Sequence, residues 1–143
     1  HLVEKGGKDL MMATMKRGET ALIEASKGGH LEVVKHLVEK GGRELVMAKK
    51  DYDETALMLA SSGGHLEVVK HLVEKGGREL VMAKTLKGKT ALMDASASGQ
   101  LEVVKYLVEK GGQELVMAKG KKGWTALMIA SEHGQLEVVK HLV

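Results

Sequence analysis

Thr20-Ala21-Leu22-Ile23-Glu24-Ala25-Ser26 returns as Thr55-Ala56-Leu57-Met58-Leu59-Ala60-Ser61, as Thr90-Ala91-Leu92-Met93-Asp94-Ala95-Ser96, and once more as Thr125-Ala126-Leu127-Met128-Ile129-Ala130-Ser131. The step is 35 residues each time. Outward from this stretch the copies stay in register. Gly29, Gly64, Gly99 and Gly134 follow it, then L-E-V-V-K from Leu31, Leu66, Leu101 and Leu136. The unit closes with L-V-E-K-G-G-x-E-L-V-M-A-K, complete in the first three copies, and Leu10 to Ala13 is an earlier, divergent copy of that close. A fixed period of this length marks a tandem array in which each unit hides its apolar face against the next.

Within one unit the pattern reads as two helices. The first runs from about Thr20 to Ser26, with Thr20 as N-cap and Ala21, Leu22 and Ala25 as helix formers. Gly28 and Gly29 stop it. The second runs from about His30 to Lys40, where Leu31, Val34, Leu37 and Val38 recur at helical spacing. Val33 widens that stripe, as expected of a helix with neighbours on both sides. Glu32 near its start and Lys40 near its end suit the helix dipole, and Gly41 and Gly42 end it. Helices this short are marginal alone and depend on packing. Leu45-Val46-Met47-Ala48 is read as an extended or single-turn segment tucked under the next unit, and residues 49–54 as a polar loop. Gly18, Asp53, Gly88 and Gly123 share one loop position, so the same left-handed turn is expected in every copy.

The chain has 143 residues, 43% of them hydrophobic and 29% charged, which is the profile of one folded domain rather than a disordered chain. Tyr52, Tyr106 and Trp124 are its only aromatics, so the core is aliphatic. The sequence lacks Cys, Pro, Phe and Asn, a simplified alphabet. Without Cys there is no disulfide framework and no thiolate chemistry; that fits an intracellular, reducing compartment without establishing one. A net charge of +3 is weak support for a polyanionic partner. No run of about 18 apolar residues offers a membrane span, and His1 to Gly7 carries no signal-peptide pattern.

The motif T-A-L-x-x-A-S-x-x-G-H-L-E-V-V-K-x-L-V-E-K-G resembles the ankyrin repeat, and it covers almost the whole chain. The resemblance implies an all-α solenoid of four helix-turn-helix units with hairpin loops, whose concave face of hairpin tips and first helices binds partner proteins. Three departures stand out. The family's T-P-L-H is Thr20-Ala21-Leu22-Ile23 here, with Met58, Met93 and Met128 at the last place in the other units, so the His that ties down the loop is missing. Leu45-Val46-Met47-Ala48 replaces D-V-N-A. The period is 35 rather than 33, with the added pair just after the two glycines.

The expected layout is a single domain over residues 1–143: the end of a preceding unit at 1–14, units at 15–49, 50–84 and 85–119, and a truncated fourth at 120–143. Both ends fall in the phase of a second helix. The expectation is a segment of a longer array, whose end faces offer head-to-tail self-association.

Residues 20–49 and 55–84 differ only at Ile23/Met58, Glu24/Leu59 and Lys27/Ser62. Shared residues account for the fold, so differing ones are the candidates for binding. The first group is the loop: Met15, Lys16, Arg17 and Glu19; Asp51, Tyr52, Asp53 and Glu54; Leu86, Lys87 and Lys89; Lys121, Lys122 and Trp124. The second is one position of the first helix: Glu24, Leu59, Asp94 and Ile129. The third is that helix's end, Lys27, Ser62, Ala97 and Glu132, with Ser98 and His133 beyond it. By resemblance all three groups lie on the concave side. Tyr52 and Trp124 are the expected anchors, with Leu86 and Ile129 as apolar support; the bland alternative is free drift on an exposed surface. A constant framework with varied loops is also similar to designed ankyrin repeat proteins, and near-identity of units is the mark of engineering or recent duplication.

The expected function is therefore non-enzymatic protein binding, with a structural or self-assembling array as the alternative. No cofactor is implied. His30/His36 and His65/His71 are six apart, whereas metal pairs on a helix favour i, i+4, so these histidines are read as structural. Ser131, Glu132 and His133 adjoin in sequence only, and Ser131 belongs to the shared framework. The glycine pairs lack phosphate-loop spacing. Lys16, Arg17, Lys87, Lys89, Lys121 and Lys122 sketch a basic stripe, but Asp51, Asp53 and Glu54 interrupt it and stacking aromatics are few, which disfavours nucleic acid.

Overall fold

A computed structural model of the protein describes residues 7, 9–14 and 20–143. Met15, Lys16, Arg17, Gly18 and Glu19, expected in the first loop, lie outside the described residues. From Ala21 onward first and second helices alternate: α1 (Ala21–Gly28), α2 (Leu31–Met47), α3 (Ala56–Ser62), α4 (Leu66–Met82), α5 (Ala91–Ala97), α6 (Leu101–Met117), α7 (Ala126–Glu132) and α8 (Leu136–Leu142). The architecture is all-helical. First helices pack on first helices (α1 on α3, α3 on α5, α5 on α7), and second helices on second helices.

Local chemistry starts and stops each element. Thr20, Thr55, Thr90 and Thr125 each accept, through Oγ1, the N–H of the third residue of the helix they precede. Each such cap stabilises by about 1 kcal/mol. The long helices break at their second glycine: Gly42, Gly77 and Gly112 all have φ between 65° and 67° and ψ near −160°, a backbone region open essentially to glycine alone. Beyond the break the chain makes one further helical turn, so Leu45-Val46-Met47 is the single-turn form of the two that the sequence allowed. Leu45, Leu80 and Leu115 are buried there.

The core is aliphatic, as the composition requires. Leu22, Leu57 and Leu92 on the first helices and Val34, Val69 and Val104 on the second are fully buried. The Val33 position proves directional. Val68, Val103 and Val138 are buried, each with a preceding unit beside it, while Val33 is 51% exposed.

Side chains also cross between units. His65 Nε2 lies 3.1 Å from the Lys27 carbonyl oxygen. Gln100 Nε2 donates to the Ser62 carbonyl at 3.1 Å, and Gln135 Nε2 to the Ala97 carbonyl at 2.9 Å. One position thus ties α4, α6 and α8 each to the end of the first helix of the preceding unit, whether it holds His or Gln. His65 makes a contact between units. On the opposite side Arg43 donates to the Gly76 carbonyl and to Glu79, and Arg78 repeats this with Gly111 and Glu114.

Candidate functional site

The loops are hairpins. Lys50 N–H donates to the Glu54 carbonyl at 2.8 Å, Thr85 to Lys89 at 2.9 Å and Gly120 to Trp124 at 2.8 Å. Thr85 Oγ1 also accepts the Lys87 and Lys89 N–H groups. Successive hairpins are joined edge to edge, Leu86 N–H to the Tyr52 carbonyl and Lys121 N–H to the Lys87 carbonyl, both at 2.9 Å. The tips therefore form one ribbon rather than separate fingers.

The shared left-handed turn is present at Asp53 (φ 64°), Gly88 (φ 78°) and Gly123 (φ 75°). The sequence did not reveal that the preceding residues Tyr52 (φ 63°) and Lys122 (φ 67°) are left-handed too. That conformation costs a side-chain-bearing residue about 1–2 kcal/mol. At Tyr52 it accompanies an aromatic ring that is 68% exposed, and Leu86 on the next tip is 69% exposed.

Behind the ribbon, Glu24, Leu59, Asp94 and Ile129 form one row of partly buried side chains on the first helices. Lys89 Nζ sits 3.2 Å from Asp94 Oδ1. Burial raises the Asp94 carboxyl above its ordinary 3.8, Lys89 opposes this, and Glu54 adds to it. A carboxyl whose folded pKa is raised favours the fold while protonated, and that contribution is lost as pH rises through the folded pKa. Asp94→Asn therefore gains stability relative to the parent at neutral pH, and the gain shrinks as pH falls towards 3.8 and below. Chemical denaturation of both proteins across pH measures this; a gain independent of pH would show that Asp94 ionises freely.

The structure brings many of the expected residues together. One groove is lined by Lys87, Lys89, Lys121, Lys122, Trp124, Ile129 and Glu132, with Met93 and Gly120 beside them. Ser62 reaches Ser98 of the next unit at 3.2 Å. Asp51, Lys27 and Ala97 do not line that groove. His133 does not point into it: its Nδ1 lies 2.9 Å from the Ile129 carbonyl oxygen of its own helix. Ser131 Oγ likewise donates to the Leu127 carbonyl at 2.8 Å. Ser26, Ser61 and Ser96, its counterparts, are wholly buried. These contacts give Ser131 and His133 helix-end roles.

Sequence reasoning passed over Met93 and Gly120. Gly120 was findable as the smallest residue at a place held by Lys50 and Thr85 in earlier units. It also passed over Tyr106 on α6, which replaces the His of the other units; Lys70 and Lys110 approach its ring at 6.0 and 5.5 Å from the centroid.

The sequence profile of ankyrin repeats, in three copies, matches residues 1–82 and 79–143, together the whole chain. The chain belongs to the ankyrin-repeat family. No curated protein matches it. Ankyrin repeats are generally protein–protein interaction modules, and the hairpin ribbon and first-helix row are where this ankyrin array carries most of its unit-to-unit differences. Among the described residues no helix is long and apolar enough to cross a membrane, and no cluster of His, Cys, Asp and Glu offers a metal site.

Proposed function

We propose that this ankyrin-repeat protein is a non-enzymatic interaction module that binds a partner protein across the concave face of hairpin tips and first helices. One observation carries the reading. Most side chains that differ between units gather on the ribbon and the row behind it, while the contacts joining the units, the Ser62–Ser98 pair apart, use shared side chains or end on main-chain carbonyls. Within that set, Tyr52 and Leu86 expose large apolar side chains at the tips, which water opposes and a partner surface would cover.

The expected partner-binding set among the described residues is the one identified from sequence, with Tyr52, Leu86 and Trp124 as anchors. Changing all three to Ala removes binding of a specific partner while leaving the helical content intact. Loss of about 2 kcal/mol or more at each anchor is the usual scale for a buried hot spot. Affinity capture with the parent and the triple variant side by side, with captured proteins identified by mass spectrometry, tests this. A partner held by the parent and released by the folded variant supports the concave face; equal capture by both turns the reading to a structural array.

A further inference from the structure

We infer that the partner presents an acidic segment carrying an apolar anchor, seated in the groove between the last two hairpins. This rests on the concave-face reading above. The groove floor is apolar: Met93 is buried, and Ile129 and Trp124 are partly covered. Its lining is predominantly cationic, with Lys87, Lys89, Lys121 and Lys122 against the carboxylate of Glu132. Lys87, Lys121 and Lys122 are exposed, and none has an acidic partner among the described residues. The protein matches several other lysines with its own carboxylates: Lys89 with Asp94, Lys50 with Glu54, and Lys35, Lys70, Lys105 and Lys140 each with the Glu three residues before it. At these tips the main-chain bond from Lys121 to Lys87 draws two cations without a carboxylate partner onto adjoining hairpins of the ribbon.

The sign reverses one hairpin away. Asp51, Asp53 and Glu54 make the preceding tip acidic. An acidic chain is drawn to the last two hairpins and repelled from the one before, so charge fixes where it lies as well as that it binds. A nucleic acid fits less well. Its uniform negative backbone gains nothing from the acidic tip, and Trp124 lies in the groove floor rather than offering an open face for stacking.

The probe is a displayed library of random peptides, panned on the parent and on Lys87→Gln/Lys121→Gln/Lys122→Gln. These side chains are exposed, and the ribbon bonds of Lys87 and Lys121 are main-chain, so the variant folds as the parent does, which circular dichroism checks. The expected result is enrichment on the parent of peptides rich in Asp and Glu around an apolar residue. The best such peptide, synthesised, binds the variant about tenfold or more weakly, loses affinity with added salt, and changes the fluorescence of Trp124, the only Trp in the chain. Neutral or basic peptides that ignore the Gln variant but are lost on Tyr52→Ala/Leu86→Ala would overturn this inference and leave the concave-face reading standing. Peptides indifferent to both variants, or no enrichment at all, would overturn it together with that reading. An oligodeoxythymidine probe that binds the parent more tightly than any peptide and is lost on the Gln variant would overturn it in favour of nucleic acid.

Discussion

Leu92→Ala lowers the unfolding free energy by about 3–5 kcal/mol, and Leu127→Ala by about half as much. The two residues occupy the same register of α5 and α7. Leu92 has no exposed surface, because α3 and α7 both pack on its helix. Leu127 is only partly buried. The deletion thus leaves a closed void in one case and an open notch in the other. Because each unit touches only its neighbours, a void in the third unit also weakens the coupling of those on either side. Urea unfolding followed by circular dichroism and by Trp124 fluorescence reads both effects. In the parent the two probes move together; in Leu92→Ala the Trp124 signal, which reports the last unit, separates from the helical signal. Equal losses at the two leucines would contradict the packing described.

Gly88→Ala costs roughly 2–4 kcal/mol, and Gly123→Ala about 1 kcal/mol. Both glycines hold the same turn position with φ of 78° and 75°, so both alanines bear the left-handed penalty. Only Gly88 is crowded. A Cβ there would stand 2.9 Å from the Gly120 Cα, main-chain that must move as a whole, whereas nothing lies within 4 Å of one at Gly123. The displacement separates the last two hairpins and breaks the Lys121–Lys87 bond, so the groove opens as stability falls. Thermal melting of the two variants ranks them; a Gly123→Ala loss as large as that of Gly88→Ala would place the strain in the turn alone.

The unit, its two helices and their caps were legible because they follow from rules that act within a few residues. Thr20 and its copies announce helix starts, and the left-handed turn at Gly88 was readable from Asp53 and Gly123 standing in its place. The residues that join units were not legible, since they act across more than thirty positions and depend on the stacking of neighbours. His65, Gln100 and Gln135 look like a lost pattern, yet each reaches the same carbonyl. The Lys89–Asp94 pair was hidden for a similar reason: both residues were singled out as variable, but only the hairpin's seat over α5 puts them together. Val33 misled because its spacing is the same as that of Val68 and Val103, while its burial depends on what stands beside it. Of the candidate groove, the varied residues were legible, while Met93, Gly120 and the ribbon that orders them were not.

The acceptors of those cross-unit bonds are the carbonyls of Lys27, Ser62 and Ala97, three residues whose side chains differ most freely from unit to unit. A peptide oxygen is the same in every amino acid. These carbonyl bonds are therefore blind to the side chains on the face above them, and under the proposed reading a substitution at Lys27 or Ala97 rewrites recognition while leaving them in place. Grammar and vocabulary sit on the same residues, one in the backbone and one in the side chain.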